Sequence, residues 1–315
     1  MNILNIEPED YSVRAKRMLA EAGSYIEAEP IDEEELLALL GDVSILITRL
    51  KFKIGSKTLD AGRKLRAIAT ATTGLDHIDL QACEARGIRV LSLRGELEFL
   101  RSIPATAELT WGLLLSLSRK LPWAFASTTR GEWARDLFKG RDLAKKTLGI
   151  VGLGRIGERI AGYARAFDMK VQAYDPLRNG WVDGVKRFED LDAFLQSSEI
   201  LSLHVPLNPE TEGLVGSRQI FQLPRGALLI NTSRGKIVDE QAVLAALESD
   251  HLGGAALDVL SDELAENRHS FQKLRSYADK HQNLILTPHL GGASIDSMMA
   301  TEDFIAEKIR AFILA

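Results

Sequence analysis

Short apolar runs alternate with segments of helical periodicity along the first hundred residues of this chain. The runs are typical of short buried strands, and the segments between them place apolar residues at the spacing of an amphipathic helix. The predicted strands are residues 2–6, 44–48, 66–70 and 88–92, and the predicted helices are residues 10–22, 32–40 and 80–86. Alternation of this kind predicts parallel βαβ units.

The second part of the chain repeats this alternation after a long apolar helix, predicted for residues 106–121 with Thr106 as its N-cap. Further strands are predicted at residues 148–151, 171–174, 200–204, 227–231, 255–258 and 284–287, and further helices at residues 158–167 and 294–315. The boundary near Arg101 contains no Pro/Gly/Ser-rich linker. We therefore predict an α/β protein of two Rossmann-like doubly wound domains, with its site in the cleft between them.

The stretch G-L-G-R-I-G at residues 152–157 is the most informative motif of the chain. It joins a predicted strand to a predicted helix, and the next predicted strand is followed by Asp175, which lies 23 positions after Gly152. The first glycine permits a tight turn, the second lets the backbone approach a pyrophosphate, and the third lets the helix pack on the strand. An acid at this spacing binds a ribose 2′-OH and repels a 2′-phosphate. The motif therefore predicts a dinucleotide site that favours NAD over NADP.

The composition excludes several classes of partner. The 315 residues carry a formal net charge of −5 and no Lys/Arg cluster, which argues against a nucleic-acid partner. Cys83 is the only cysteine and the histidines lack ligand spacing, so we expect neither a disulfide framework nor a metal. No run approaches the roughly 18 apolar residues of a membrane span, and the N-terminus lacks a signal-peptide pattern. We expect a cytoplasmic protein without a membrane partner.

Arg234, Glu263 and His289 each follow a predicted strand of the second domain. Reduction of an oxo acid needs a fixed cation that holds the carboxylate and polarises the carbonyl, which an arginine can do bidentately. It also needs a proton donor near neutral pH, and a histidine beside a carboxylate suits that purpose. Taken singly, the three residues are equally compatible with a surface arginine, a solvated acid and a loop histidine.

Several stretches occur in the same order as in a known family, at residues 73–79, 148–157, 203–207, 230–235, 237–240, 254–259 and 287–292. Together they resemble the D-isomer-specific 2-hydroxyacid dehydrogenases, which include phosphoglycerate dehydrogenases. The resemblance implies a substrate-binding domain of residues 1–101 and 290–315, discontinuous because the C-terminal helix returns to it. It further implies an NAD-binding Rossmann domain of residues 102–289 and a homodimer formed through that domain.

The resemblance also implies roles for individual residues. Arg234 matches the arginine that binds the substrate carboxylate, His289 the general acid/base, and Glu263 the acid that pairs with the histidine. Asp258 matches the residue that meets the nicotinamide carboxamide. The implied cofactor contacts are Thr73, Gly152, Gly154, Arg155, Ile156, Gly157, Asp175, Val205, Thr232, Ser233, Asp258, Gly291 and Gly292. The candidate substrate contacts are Arg49, Thr73, Gly74, Arg234 and His289.

The chain departs from the family pattern at a few positions. Leu264 stands where the family often has proline, and the neighbouring Asp262 is an alternative partner for His289. We prefer Glu263, because its offset from Asp258 is that of the family. Relatives that act on 3-phosphoglycerate carry an arginine where this chain has Thr70. The physiological substrate therefore stays open.

We predict an NAD-dependent oxidoreductase that interconverts a small or medium D-2-hydroxy acid and its 2-oxo acid. Alternatives within the enzyme class are glyoxylate or hydroxypyruvate reduction, phosphite oxidation, and D-3-phosphoglycerate oxidation if Arg49 and Lys53 bind phosphate. Formate oxidation is disfavoured, because Glu263 stands where a glutamine would be expected. An alternative of another class is an NAD(H)-sensing interaction protein that resembles dehydrogenase-like transcriptional corepressors. Such a protein binds NADH but reduces no oxo acid at a useful rate.

Overall fold

The computed structural model describes residues 1–265 and 267–315. Over these residues the chain forms two compact units. Unit 1 consists of Met1–Ile103 and Ala293–Ala315, and unit 2 consists of Pro104–Gly292. The boundaries predicted from the sequence, after residues 101 and 289, lie two and three residues before these transitions.

Strands and helices alternate along most of the chain. The strands are β1 (Asn2–Asn5), β2 (Ser24–Glu27), β3 (Ile45–Ile47), β4 (Ala67–Ala69), β5 (Arg89–Leu91), β6 (Thr147–Val151), β7 (Lys170–Tyr174), β8 (Lys186–Phe188), β9 (Ile200–Leu203), β10 (Ala227–Asn231), β11 (Leu252–Leu257) and β12 (Leu284–Leu286). The helices are α1 (Val13–Ala22), α2 (Glu33–Leu39), α3 (Ser56–Ala61), α4 (Leu80–Ala85), α5 (Leu97–Leu100), α6 (Ala105–Ser118), α7 (Leu121–Thr129), α8 (Arg155–Ala166), α9 (Leu191–Gln196), α10 (Ser217–Gln222), α11 (Glu240–Glu248), α12 (His269–Ala278) and α13 (Ile295–Leu314).

The strands of unit 1 form a parallel sheet in the order β2-β1-β3-β4-β5. Successive side chains of a strand point to opposite faces, and both faces of this sheet are covered. On one face Ile45 and Ala67 pack with Ile305 of α13, so the C-terminal helix belongs to the core of unit 1. On the other face Leu46 and Ile68 pack with side chains of α2 and α3. The strand order reverses between β1 and β3.

The strands of unit 2 form a second parallel sheet in the order β12-β11-β10-β9-β6-β7-β8. Neighbouring residues of β10 again enter different clusters, since Leu229 packs with side chains of α10 and α11 while Ile230 packs with those of α6 and α8. The order reverses between β6 and β9, which is where a Rossmann fold binds its dinucleotide. The predicted α/β class with two parallel, doubly wound units is confirmed.

The predicted N-cap of the long apolar helix is wrong. Helix α6 begins at Ala105 with Pro104 in the capping position, and Thr106 is already the second helical residue. A proline at a helix start loses no hydrogen bond, because the first helical N–H groups have no partner within the helix. The carbonyl of Thr106 instead accepts a hydrogen bond of 2.6 Å from the hydroxyl of Thr110.

The sequence pattern did not reveal β2 and β8. Both strands lie at the edges of their sheets, and most of their side chains are exposed or only partly buried. An edge strand needs no continuous apolar run, because solvent can reach one side of it. Hydrophobic periodicity therefore found the central strands of each sheet and missed these two.

Within residues 1–265 and 267–315, no helix combines the length and the apolar character that crossing a membrane requires.

Candidate active site

The glycine motif of residues 152–157 joins β6 to α8. Gly152 has a φ of 87°, and a Cβ atom on it would lie 2.6 Å from the carbonyl oxygen of His204. A Cβ atom on Gly157 would lie 2.2 Å from the carbonyl oxygen of Gly152. Gly154 is different, because a Cβ atom there would meet no described atom within 4 Å. The first and third glycines are therefore required by the protein itself, and the second leaves open space in front of the helix.

That open space suits a pyrophosphate. Helix α8 begins at Arg155, and Gly154 supplies no side-chain hydrogen bond to its first N–H groups. The N–H groups at the start of a helix and the positive end of its dipole together attract phosphate. Burial lowers the pKa of the Arg155 guanidinium, with the charge of Arg159 as a second cause, so a nearby anion would favour the charged form. Ile156 follows in the first turn and packs against the core beneath α8.

Asp175 follows β7 directly and faces the same motif. Its Oδ2 atom accepts a 2.8 Å hydrogen bond from the N–H of Leu153, and its Oδ1 atom accepts one of 3.2 Å from the N–H of Leu177. Arg178 donates to the carbonyl oxygen of Leu153 and also, at 2.6 Å, to Glu158 on α8. An acid and a cation therefore both contact Leu153, at the position where the motif predicts an adenosine ribose.

His204 closes the other side of the glycine motif, at the end of β9. Its Nε2 atom lies 2.8 Å from the hydroxyl oxygen of Ser202. The next residue, Val205, places its Cγ1 atom 2.7 Å from the position of a Cβ atom on Gly152. Burial lowers the pKa of His204 from 6.5 to about 3. The imidazole is therefore neutral at physiological pH.

This depressed pKa predicts a loss of stability in acid. Below pH 6.5 the unfolded chain protonates His204, whereas the folded chain does so only near pH 3, so the free energy of unfolding falls as pH decreases through that window. The contribution is at most about 2 kcal/mol at pH 5, because the residue keeps some contact with solvent. Denaturant titrations at pH 7 and pH 5 should show that His204→Gln loses less stability than the wild type. His269→Gln, at an exposed position, is the control, and an equal loss in wild type and His204→Gln would contradict the assignment.

The three residues predicted to carry the chemistry follow three neighbouring strands. Arg234 comes three residues after β10, Glu263 six residues after β11, and His289 three residues after β12. The order β12-β11-β10 makes these strands adjacent, and all are parallel. Their carboxyl ends therefore lie at one edge of the sheet, where doubly wound folds bind ligands.

His289 and Glu263 are in direct contact. The Nδ1 atom of His289 lies 3.0 Å from the Oε1 atom of Glu263, and both side chains are partly exposed. Asp262, the alternative partner, instead accepts a 2.7 Å hydrogen bond from the backbone N–H of Ser270 on α12. A carboxylate on Nδ1 fixes the orientation of the imidazole.

The loop that carries His289 is held by Asp258. This residue is 1% exposed, and its carboxylate accepts hydrogen bonds from the hydroxyl of Thr287 at 2.6 Å and from the N–H groups of Leu290 and Gly291 at 2.8 Å each. His289 itself has a φ of 55°, and its N–H donates to the carbonyl oxygen of Asp258 at 2.8 Å. A non-glycine residue in the left-handed region is strained and persists only where its surroundings hold it. The predicted contact of Asp258 with nicotinamide stays a prediction.

The backbone of Arg234 is held by Asn231, the last residue of β10. The Asn231 amide donates to the carbonyl oxygen of Arg234 at 2.9 Å and accepts from the N–H of Ser233 at 3.0 Å. The Arg234 guanidinium donates to the carbonyl oxygen of Ser233 at 2.7 Å. Thr232, with its hydroxyl oxygen 2.7 Å from that of Thr110, ties the same turn to α6. The turn is thus fixed before any substrate binds.

Two of the predicted contacts of unit 1, Thr73 and Gly74, lie after β4. Thr73 is exposed and Gly74 is partly exposed. The hydroxyl of Thr72 donates to the carbonyl oxygen of Gly74 at 2.8 Å and thereby shapes this turn. The role of Thr73 and Gly74 as backbone donors to a ligand stays a prediction.

Arg49 lies in a polar cluster of unit 1. Its guanidinium pairs with the carboxylate of Glu302, which is 1% exposed, and lies 5.4 Å from the ring centroid of Tyr11. Burial raises the pKa of Glu302, and Arg49 opposes that effect. Removing one partner of such a pair leaves a buried charge uncompensated. These contacts connect Arg49 to α13 within unit 1. Its role as a substrate contact stays a prediction.

The chain was compared with protein families and with known proteins. Residues 111–291 match the family described as D-isomer specific 2-hydroxyacid dehydrogenase, NAD binding domain. The D-3-phosphoglycerate dehydrogenase of Methanocaldococcus jannaschii is 34% identical over 299 residues, which cover 94% of this chain and 55% of that protein. The hydroxypyruvate reductase of Thermotoga maritima is 33% identical over 284 residues, which cover 90% and 89%.

A solved structure agrees with this result. The D-lactate dehydrogenase of Aquifex aeolicus, complexed with NAD and lactic acid, superimposes with a TM-score of 0.84 at 28% identity and covers 100% of this chain and 97% of its own. The chain belongs to the D-isomer specific 2-hydroxyacid dehydrogenase family. The predicted family, its oxidoreductase class and NAD as the cofactor of its nucleotide-binding domain are confirmed. The chain spans about half the length of the phosphoglycerate dehydrogenases it matches.

The family resemblance did not indicate one contact near the candidate site. Glu240, at the start of α11, is 5% exposed and binds the backbone and the hydroxyl of Ser261. In the sequence it was part of the supporting stretch 237–240 and had no assigned role. Its position after Asp239, which caps α11, is compatible with an ordinary first-turn acid.

Proposed function

We propose that the chain interconverts a D-2-hydroxy acid and its 2-oxo acid with NAD(H). The observation that carries the proposal is the contact between His289, which follows β12, and Glu263, which follows β11. Strand β11 adjoins β10, which leads to Arg234. A carboxylate-oriented histidine and an arginine at one sheet edge are the proton donor and the anion clamp that reduction of an oxo acid requires.

Each side chain has one task in the proposed reaction. The Arg234 guanidinium binds the substrate carboxylate with two parallel hydrogen bonds and holds the carbonyl carbon in place. NADH supplies the hydride that this carbon accepts. His289, which Glu263 orients, acts in its protonated form and gives its proton to the carbonyl oxygen. The product is then a neutral hydroxyl group, and His289 ends neutral. In the oxidative direction His289 takes that proton back.

The cofactor is held by the glycine motif and by Asp175 in this proposal. The N–H groups at the start of α8 bind the pyrophosphate, and the Asp175 carboxylate binds the adenosine ribose. Val205, Thr232, Ser233, Gly291 and Gly292 line the same carboxyl edge of the unit 2 sheet and complete the proposed cofactor contacts.

The substrate is proposed to be a 2-oxo acid without a phosphate group. The names of the relatives do not agree on a substrate, since they include a phosphoglycerate dehydrogenase and a hydroxypyruvate reductase. Arg49, one of the two candidate phosphate ligands, is committed to Glu302. Glyoxylate and hydroxypyruvate are therefore preferred to 3-phosphoglycerate as substrates.

Oxidation of NADH, followed by absorbance against a panel of 2-oxo acids, tests the proposed function. The panel runs from glyoxylate and hydroxypyruvate through 2-oxoglutarate to aromatic oxo acids, with 3-phosphoglycerate and NAD as a reverse test. Turnover of at least one member with a clear size preference is expected. Silence across the panel with NADH still bound would contradict the proposal and favour an NAD(H)-sensing interaction protein.

Replacing Asp175 should change cofactor preference. Asp175→Ala removes the acceptor for the ribose hydroxyls and the charge that repels a 2′-phosphate, while Arg178 remains beside Leu153 as a cation. Loss of a hydrogen bond to a charged group costs about 1.5–3 kcal/mol, so NAD binding should weaken about 10- to 100-fold, and the ratio of NAD to NADP affinity should fall. Fluorescence titration with NADH and NADPH measures both constants. Asp183→Ala, at an exposed position, is the control, and an unchanged preference would contradict the ribose assignment.

A homodimer formed through unit 2 is the proposed assembly. The segment between α6 and β6 presents Phe125, Trp133 and Leu137 to solvent, with Trp133 91% exposed. Large apolar side chains gathered in one segment of a surface are typical of an interface. Light scattering after size exclusion should give twice the mass of the chain for the wild type and a smaller mass for Trp133→Glu. A wild-type monomer would contradict this assembly.

A further inference from the structure

Glu240 is a buried acid close to the proposed catalytic residues but outside them. It is 5% exposed, and its two carboxylate oxygens accept hydrogen bonds from the N–H of Ser261 at 2.5 Å and from the Ser261 hydroxyl at 2.9 Å. Burial raises the pKa of Glu240, and the hydrogen bonds from Ser261 oppose that effect. Burial of a carboxylate costs several kcal/mol unless hydrogen bonds compensate it. The Ser261 backbone is thus the main compensating partner of this acid.

The bonded residue lies next to the turn that carries Arg234. A Cβ atom on Gly235 would lie 2.0 Å from the carbonyl carbon of Leu260 and 2.2 Å from the backbone nitrogen of Ser261. The backbone at 260–261 therefore rests directly on the residue after Arg234, with no space for any side chain between them. Glu240 binds the Ser261 end of this backbone segment through the N–H and the hydroxyl of Ser261.

Glu263, the partner of His289, comes two residues after Ser261. The Glu263 Oε2 atom accepts a hydrogen bond of 3.4 Å from the N–H of Leu260, and its Oε1 atom faces His289. Asp262, between Ser261 and Glu263, is bonded to the first turn of α12. The course of residues 260–263 thus decides where the Glu263 carboxylate stands.

We propose that Glu240 is a positioning residue, which holds the 260–263 turn against Gly235 and so sets the Glu263 carboxylate relative to His289 and Arg234. The kinetic part of this proposal rests on the proposed function, and the geometric part does not. A misplacement of about 1 Å at a catalytic group can cost about 100-fold in rate. Because Asp262 and Gly235 still hold the turn, loss of the Glu240 carboxylate should move Glu263 by less than about 1 Å, and the loss in rate should be smaller than about 100-fold.

Glu240→Gln tests the proposal, because glutamine keeps the size of the side chain but can accept at only one of its two terminal atoms. The matched control is Glu248→Gln, at the exposed end of the same helix. The first readout needs no substrate: the ¹⁵N spectrum of the histidine rings, with His289 assigned from the spectrum of a His289→Gln variant. Glu240→Gln should move the His289 ring resonances, and Glu248→Gln should leave them in place.

The second readout is kinetic. Glu240→Gln should lower kcat for the preferred oxo acid about ten-fold while KM and the Kd of NADH change less than about two-fold. In a Glu263→Gln background the same substitution should have little further effect, because the group that it positions is already lost. A full additional decrease in that background, or unmoved His289 resonances, would overturn the positioning role and leave Glu240 a purely structural acid.

Two further outcomes are distinguishable. If the wild-type protein reduces no oxo acid, the proposed function fails, and the ¹⁵N spectra still decide whether Glu240 sets the His289–Glu263 contact. If Glu240→Gln does not fold, Ser261→Ala replaces it, since this variant loses the hydroxyl bond and keeps the backbone bond. Ser261→Ala should move the His289 resonances in the same direction by a smaller amount, and unmoved resonances would overturn the proposal.

Discussion

Substituting His289 with alanine should lower kcat for reduction of the preferred 2-oxo acid about 10²- to 10⁴-fold, the usual contribution of a positioned general acid. The Nδ1 atom of His289 faces Glu263, so the proton is transferred from Nε2. Alanine offers no proton, and water has no comparable position fixed by β12 and Asp258. Steady-state rates with saturating NADH measure the effect.

The binding of NADH is the internal control for this variant. The glycine motif follows β6 and Asp175 follows β7, whereas His289 follows β12, an outermost strand of the unit 2 sheet. Three strands, β11, β10 and β9, separate β12 from β6. The Kd of NADH should therefore change less than about three-fold, because His289 makes none of the proposed phosphate or ribose contacts. Turnover of His289→Ala close to that of the wild type would refute the acid/base role.

Replacing Arg234 with lysine should lower kcat/KM about 10²- to 10³-fold, with most of the loss in KM. Lysine keeps the charge but cannot form two parallel hydrogen bonds with a carboxylate, and truncation of one partner of a desolvated charge pair costs about 2–5 kcal/mol. Because Asn231 holds the backbone of residue 234 through its carbonyl group, the substitution should leave the turn in place.

The control is Arg218→Lys, at an exposed arginine that pairs with Asp192. This variant should have the kinetic constants of the wild type. An Arg234→Lys enzyme with an unchanged KM would show that another group binds the substrate carboxylate.

Both units are doubly wound parallel sheets, but they differ at the point where the strand order reverses. In unit 2 that point holds the glycine motif, with open space before α8. In unit 1 the corresponding position after β1 holds Glu7, whose carboxylate accepts hydrogen bonds from the Thr48 hydroxyl at 2.9 Å and the Arg49 N–H at 2.6 Å. An acid of the protein itself thus occupies the place of an anionic ligand in unit 1. This difference explains in physical terms why unit 2 is the nucleotide-binding unit.

Much of the fold could be predicted because its central strands are buried on both faces. Strands such as β9 and β10 are nearly continuous apolar runs, which parallel sheets covered by helices require. The edge strands β2 and β8 lack that signal, since most of their side chains are exposed or partly buried. The start of α6 was misplaced because a capping residue was sought where a proline already begins the helix.

The residues of the candidate site could be predicted where they come shortly after the end of a predicted strand. Arg234 and His289 stand within a few residues of apolar runs, and the glycine motif has a fixed spacing to Asp175. The pairing of Arg49 with Glu302 joins residues 253 positions apart, which no local pattern can show. The contact of Glu240 with Ser261 likewise depends on how the start of α11 meets the loop after β11. Sequence reasoning therefore indicated the residues of the proposed reaction and missed contacts such as those of Glu240 and Glu302.

Transfer of deuterium from the nicotinamide ring tests the central claim most directly. NADH labelled with deuterium at the transferable C4 position is incubated with the enzyme and hydroxypyruvate, or another accepted 2-oxo acid whose product is chiral. The product is analysed by mass spectrometry and chiral chromatography. One deuterium at C2 of a D-configured hydroxy acid is expected. A product without deuterium at C2, or an L-configured acid, would contradict the proposed function.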